Sequence, residues 1–462
     1  MIKFYKDLQK LNEIYNSNKF ELVALYGDYG VGKTALLKEF LKDKGKCCVY
    51  YCGVDSTAKH NKNVWTSAVC IRNFQGGINS VDEFDLDFML ALQCDCYRGR
   101  KIAFVFDDIH KSCKSVENFL DILHGIVETY REKSDITIIL CDNTVEFIKN
   151  GIFQKFSFTE KIELTPFDFK DVCEYFTNFS DDEKAYLYGS FGGKMRYLSL
   201  VDKNLSYKEN LNSTFCNPSS MIFEEPENIL LREIREPFLY DAILTEIASG
   251  NNRMSVISKN IGESTNTCSI YLKKLIELGF VKKELPYGES DSKRAIYSIC
   301  DNMLRFYYCN TFKYKSIIAV ENNCIYDFIT SKYNNYMQGI FKDICMQYLE
   351  VQLGQGKCPV KFASLGSWWH SSSKNGEINI DIVGATEDKI HALLADCIWS
   401  EEKANVNSLN SLIEHSTSLS YLNKQYYLFS KSGFTDECIR EAKTKNVTLI
   451  GYPDIIKEFE VI

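Results

Sequence analysis

The sequence predicts an α/β chain built in series: a parallel sheet covered by helices, a small helical segment, a three-helix-and-hairpin module, and a second α/β domain. Three observations carry this. Unbroken apolar runs alternate with amphipathic stretches through roughly the first 200 residues. Near residue 229 the order changes to three helices and a hairpin. From about residue 330 the pattern returns to mixed strands and helices.

The first run, Phe20-Glu21-Leu22-Val23-Ala24-Leu25-Tyr26, reads as a buried strand, and Ala35-Leu36-Leu37-Lys38-Glu39-Phe40 as an amphipathic helix. Between them lies Gly27-Asp28-Tyr29-Gly30-Val31-Gly32-Lys33-Thr34, which fits G-x-x-x-x-G-K-[ST]. Glycines at 27, 30 and 32 let the backbone approach a phosphate chain, so its amides form an anion nest. Lys33 reaches the β and γ phosphates, and the Thr34 hydroxyl is placed for Mg²⁺. Strand, glycine loop and helix N-terminus together mark a P-loop for a nucleoside triphosphate.

Mg²⁺ needs a carboxylate. Ile102-Ala103-Phe104-Val105-Phe106 reads as a central buried strand, with Asp107-Asp108 at its carboxyl end. Asp107 fits the metal-holding role and Asp108 the alignment of the attacking water. Many ATPases have Glu at the second place. Asp is one methylene shorter, which favours slow hydrolysis. The competing reading makes either acid a cap for the following helix. Ile136-Thr137-Ile138-Ile139-Leu140-Cys141 is another buried run, followed by Asp142-Asn143. Asn143 fits a polar sensor of the γ phosphate and, equally, an ordinary Asn turn. Further strands are expected near 47–52 and 161–164, so the first α/β domain, with helices on both sheet faces, spans 1–165.

Residues 166–228 read as a helical lid and connector. A helix runs from Lys170 to Phe176, and Phe191-Gly192-Gly193-Lys194-Met195-Arg196-Tyr197-Leu198 sets two glycines before a helix. That helix end fits a lid facing the base, or a plain helix–helix turn. Residues 201–228 are polar, contain Pro218 and Pro226, and read as a connector.

Across 229–320 the expected elements are helices 229–249 (broken near Pro237), 256–261 and 264–278, then strands 280–285 and 295–299. This is the winged helix-turn-helix order, with a recognition helix at 265–278 and a wing at 286–294. Lys273, Lys274, Lys282, Lys283, Lys293 and Arg294 are placed for phosphate contacts. Glu277, Glu284, Glu289 and Asp291 interleave with them, so DNA contact and protein interaction both stay open. Residues 330–462 form the last domain: a helix near 333–350, Trp368-Trp369, strands near 377–384, 390–398 and 425–430, a helix 436–443, and a strand 447–451.

Bulk properties exclude some classes. The chain has 462 residues and a net charge of −8, which argues against a protein coated in nucleic acid. No apolar run approaches the length needed to span a bilayer, and Met1-Ile2-Lys3-Phe4-Tyr5-Lys6-Asp7 lacks a signal-peptide core, so a cytoplasmic location is expected. The 18 cysteines are scattered without a CxxC pair and the six histidines form no cluster, so reduced thiols are expected and zinc is not.

Taken together, these stretches resemble the archaeal-type ATPases that carry a C-terminal domain of unknown function number 234, AAA-like and STAND-related P-loop proteins. The resemblance rests on Leu25 to Gly27, Gly32 to Leu37, and Gly192-Gly193 followed by Tyr197-Leu198. It extends to Phe223-Glu224-Glu225-Pro226-Glu227-Asn228-Ile229-Leu230-Leu231-Arg232-Glu233, Ile243-Leu244, Ile247-Ala248-Ser249-Gly250 and Tyr271-Leu272-Lys273-Lys274-Leu275. Asp301-Asn302-Met303-Leu304-Arg305-Phe306-Tyr307, Trp368-Trp369 and Phe429-Ser430-Lys431-Ser432-Gly433-Phe434 complete it. It implies ATP as the nucleotide, since nothing in the residues themselves separates ATP from GTP. The family's usual two arginines after the first loop glycine are here Asp28 and Tyr29, so two cations near the phosphates are missing. Its usual Asp-Glu is Asp107-Asp108.

The resemblance also implies that the last domain has a PD-(D/E)XK, restriction-endonuclease-like fold. The family's acids match Asp381 and Asp396, but its lysine is Ile398 and its helix acid is Lys342. The expectation is a degenerate pseudo-nuclease. The expected function is an ATP-binding, slowly hydrolysing Mg²⁺-dependent switch acting on DNA through the winged helix or on a protein partner, with no membrane role. The alternative is a DNA-binding regulator or defence module gated by ATP binding with negligible turnover.

Overall fold

The structure, a computed structural model, describes residues 2–17, 19–73, 86–97, 99–132, 135–144, 147–233, 238–290, 293–320, 333–372 and 376–461. Two compact units form: Met1–Phe167 with Lys194–Arg196, and Asp168–Gly193 with Tyr197–Ile462.

The first unit is built on five strands, β1 (Glu21–Tyr26), β2 (Cys48–Cys52), β3 (Ile102–Asp107), β4 (Ile136–Asp142) and β5 (Glu160–Glu163). They pair in the order β2-β3-β4-β1-β5, and every pairing is parallel. Parallel pairing needs crossover helices, and these cover both faces. On one face Leu22, Ala24, Phe104, Phe106, Ile138 and Leu140 pack with Leu123, Ile126 and Val127 of α6 (Phe119–Tyr130). On the other, Val23, Leu25, Val105 and Ile139 pack with Leu11 of α1 (Ile2–Asn16) and Leu36, Leu37 and Phe40 of α2 (Lys33–Leu41). Strand β4 inserts between β1 and β3, bringing the ends of all three, Tyr26, Asp107 and Asp142, to one sheet edge.

The second unit opens with helices Phe169–Tyr175 and Asp181–Phe191. Residues 201–228 are not the connector expected from their polarity. They contain helix Tyr207–Thr214 and the start of helix Met221–Glu233, which begins eight residues before the expected 229. Ser206 accepts from the Glu209 amide while Glu209 reaches back to the Ser206 amide, a capping box that starts the first of these helices. The second buries Ile222, Phe223 and Leu230 and accommodates Pro226. The break expected at Pro237 lies outside the described residues.

Helices Phe238–Ala248, Met254–Ile261 and Thr265–Glu277 follow, then the antiparallel hairpin β6 (Val281–Glu284) and β7 (Ile296–Ile299). Part of the expected 286–294 loop, residues 291 and 292, is also outside the described residues.

A long helix, Tyr333–Gly354, precedes a second five-stranded sheet of β8 (Leu365–Ser372), β9 (Gly376–Ala385), β10 (His391–Ile398), β11 (Asn423–Ser430) and β12 (Val447–Gly451). The first three are antiparallel neighbours and the last three parallel ones. Trp368 and Trp369 lie within a strand of their own, β8, which their flanking Gly, Ser and His residues had hidden.

Candidate functional site

The first unit gathers the sequence-predicted residues at the carboxyl ends of β1, β3 and β4. The loop Gly27–Gly32 links β1 directly to α2. Gly27 has φ +150°, and a Cβ there would fall 2.0 Å from the Leu164 carbonyl oxygen, so no side chain fits. Gly32, at φ 107°, caps α2 in a left-handed conformation. Val31 is buried and anchors the loop, while Asp28 and Tyr29 face solvent.

Lys33 is only 7% exposed. Its Nζ donates to the carbonyls of Gly27 at 2.7 Å and Asp28 at 2.9 Å. Burial holds its pKa below the usual lysine value, against the opposing charges of Asp107, Asp108 and Asp142. Among the described residues it forms no ion pair. A buried ammonium satisfied only by neutral carbonyls is short of an anion. A nucleotide's phosphate chain fits that deficit and the side-chain-free loop around it.

Thr34 Oγ1 lies 3.4 Å from Asp107 Oδ2, so the two groups expected to hold Mg²⁺ already face each other. Asp107 is buried, and its Oδ1 accepts the Asp108 amide at 2.9 Å. Its Oδ2 also accepts the Tyr50 hydroxyl at 2.6 Å. Burial, then the Asp107 charge and hydrogen bond, push the Tyr50 phenol far up, so it stays a donor. Asp107, Thr34 and a bound phosphate oxygen make a sensible oxygen set for Mg²⁺.

Asp108 sits at the N-cap position of α5 (Ile109–Ser115) with φ 51° and ψ 48°, but its side chain caps nothing. Asn143 Nδ2 donates to its Oδ1 at 3.1 Å, and Lys111 Nζ to its Oδ2 at 2.6 Å. Asn143 is steered there by its neighbour. Asp142 is fully buried and accepts the His110 amide at 2.7 Å, the His110 ring, and the Thr144 amide at 2.8 Å. Burial alone would raise the Asp142 pKa, but the His110 bonds and charge outweigh it and hold it low. This carboxylate thus ties the end of β4 to the start of α5.

Three residues at the site were not singled out as functional. Tyr50 gave no signal, because its partner is 57 residues away. Lys111 had a legible one, the i,i+3 spacing from Asp108 on a helix start. Arg196 lies over the Tyr29 ring at 5.1 Å, and its amide donates to the Gly30 carbonyl at 2.9 Å. It brings a cation to the loop that carries Asp28 and Tyr29 instead of two arginines. Its signal was the segment Gly192–Leu198. Its residues Lys194–Arg196 pack on the phosphate loop, whereas the sequence offered a lid over the base or a plain turn.

Two family models match parts of the chain. Residues 5–201 match the model of an ATPase domain predominantly from Archaea, and residues 306–409 match a family of archaeal and bacterial proteins of unknown function, number 234. An uncharacterized protein of Methanocaldococcus jannaschii is 25% identical over 407 residues, covering 86% of this chain and 87% of that protein. A Walker-type ATPase of Pyrococcus abyssi is similar at TM-score 0.44 and 18% identity, over 66% of this chain and 94% of that one. The Aeropyrum pernix Orc1 protein in complex with DNA is similar at TM-score 0.35 and 14% identity, over 69% and 92%. The chain carries an archaeal-type ATPase domain at its N-terminus and a domain of unknown function 234 at its C-terminus.

Proposed function

We propose that this protein is an ATP-driven switch with slow, Mg²⁺-dependent turnover. The observation that carries it is the buried Lys33 ammonium, held by two loop carbonyls and, among the described residues, lacking an ion-pair partner. Gly27–Thr34 would cradle the phosphates, with Lys33 on the β and γ groups. Thr34 and Asp107 would hold Mg²⁺, which when bound neutralises charge on the phosphate oxygens. Tyr50 keeps the Asp107 carboxylate turned toward Thr34. Asp108 would align the attacking water, and Asn143 orients Asp108. The short Asp108 side chain, with both oxygens already engaged, supports slow turnover. Equilibrium binding of Mg-ATP to wild type and Lys33→Ala tests this; equal affinity would sink the assignment.

The three helices and hairpin of residues 238–299 support a winged-helix reading, with recognition helix Thr265–Glu277. Of the six basic side chains placed for phosphate contacts, Lys274, Lys282 and Arg294 are paired with Glu277, Glu284 and Glu289. Lys273, Lys283 and Lys293 are exposed. The partner is therefore DNA gripped by those three lysines, or a protein. Gel-shift binding unchanged after the three become alanine would exclude the DNA reading.

The mixed sheet β8–β12 supports a nuclease-like ancestry, and its acids support a degenerate one. Asp381 and Asp396 stand on neighbouring strands; Asp396 Oδ1 accepts the Asp381 amide at 3.2 Å and Asp381 Oδ2 accepts the Cys397 amide at 3.0 Å. Burial raises both, Asp396 to about 7. Lys342 donates to Ser367 Oγ at 3.1 Å, and its charge works to lower Asp381. A cation standing beside these acids, with Ile398 on the strand, supports a domain that keeps the cleft and not the catalysis. Among the described residues no helix is long and apolar enough to cross a membrane. The described cysteines are unbridged, which supports a cytoplasmic setting.

A further inference from the structure

The fit of Lys111 to Asp108 goes beyond an incidental surface ion pair. Asp108 occupies a helix N-cap, where a carboxylate ordinarily turns back onto the first free amides. It does not. Its left-handed backbone (φ 51°) aims the side chain outward, with no capping bond. There, Lys111 Nζ meets Oδ2 at 2.6 Å and the Asn143 amide meets Oδ1 at 3.1 Å. The Cys52 thiol adds a long contact to Oδ2 at 3.9 Å. The ion pair is only about one-quarter exposed, with Lys111 at 27% and Asp108 at 19%.

A carboxylate aligns water through a free lone pair in the right direction. Asn143 is a neutral donor on Oδ1 and fixes the plane of the group. Lys111 differs: it places a full positive charge on Oδ2 and withdraws the electron density that a water proton must find. The charge also sits on the helix that follows β3, so any shift of α5 relative to β3 moves it.

We infer that Lys111 is a clamp on Asp108, holding the carboxylate in a non-productive ion pair that must open before water is aligned. This rests on reading Asp108 as the water-aligning group. Lys111 is a regulating, positioning residue, not a catalytic one: it acts on the site only through Asp108. The slow turnover proposed above is then partly imposed, and a partner that shifts α5 would relieve it.

The test compares wild type with Lys111→Met, Lys111→Arg and Asp108→Asn. ATP hydrolysis supplies kcat and KM, and equilibrium binding of Mg-ATP supplies affinity. Lys111→Met is expected to raise kcat about two- to five-fold, what releasing one partly exposed ion pair yields. ATP affinity should not move, and Lys111→Arg, which keeps the charge, should return to the wild-type rate. A readout independent of turnover is the thermal unfolding of the nucleotide-free protein. Lys111→Met, Asp108→Asn and their double variant should be non-additive, because the two partners share one interaction. Lys111→Gln serves if the methionine variant does not fold. If Asp108→Asn is inactive and Lys111→Met is no faster than wild type, the clamp alone fails. If Asp108→Asn hydrolyses ATP at the wild-type rate, the role of Asp108 fails and takes the clamp with it. A change in ATP affinity with Lys111→Met would make Lys111 a nucleotide contact and overturn the clamp as well.

Discussion

Two pairs of carboxylates in this molecule have a lysine nearby, and they differ in the partners that hold them. Asp107 and Asp108 follow one another at the end of β3, where Thr34, Tyr50, Asn143 and Lys111 supply side-chain donors. Such donors can rotate away and be exchanged for an incoming ligand. Asp381 and Asp396 face each other across β9 and β10 and accept backbone amides of the opposite strand. Those donors belong to the sheet and cannot leave. Burial there raises both acids toward protonation. On the proposed reading, the side-chain donors of the first pair are what an incoming cation would displace, and the backbone donors of the second are not.

The sharpest way to break this contrast is at the first pair. Lys33→Ala removes the buried cation, and Mg-ATP affinity is expected to fall by at least about a hundredfold, since charge-assisted phosphate contacts are among the strong ones; titration with a fluorescent ATP analogue checks it. Asp107→Asn should lower Mg²⁺-supported hydrolysis by about a hundredfold while binding of metal-free nucleotide persists, read by steady-state assays with and without EDTA. In the same assays the second pair should behave differently: Mg²⁺ should support no DNA cleavage, and cleavage that Asp381→Ala abolishes would erase the distinction.

Smaller effects sharpen it. Tyr50→Phe leaves Asp107 Oδ2 without its 2.6 Å donor, and the Mg²⁺ concentration for half-maximal turnover should rise a few-fold with little change in kcat. The smallest effect is on stability. Asp396 has a folded pKa of about 7, above its unfolded value near 3.9. The native state therefore holds more protons through the window between them. Its stabilising contribution is complete below the unfolded pKa and is lost as pH rises toward and through 7. Unfolding of wild type should show that decline, and Asp396→Asn should flatten it.

Much of this was legible in the residues. The apolar runs marked β1, β3 and β4 to within a residue or so, because these strands are buried almost throughout and have few polar positions to confuse the pattern. The loop Gly27–Thr34 was legible because its chemistry is local. The helices within 201–228 were missed where a readable capping box, Ser206-x-x-Glu209, was outweighed by polarity. β8 was missed because Gly366, Ser367, His370 and Ser371 dilute its two tryptophans, and its pairing to β9 is bulged. Tyr50 was out of reach for another reason: it meets Asp107 only after the sheet has assembled.

One measurement bears most directly on the central claim: ATP hydrolysis by the purified chain with Mg²⁺, with and without DNA, beside Lys33→Ala. An ATP-driven switch predicts slow turnover that disappears in Lys33→Ala, and a rise with DNA would identify the partner. Hydrolysis or tight ATP binding that survives unchanged in Lys33→Ala would contradict it.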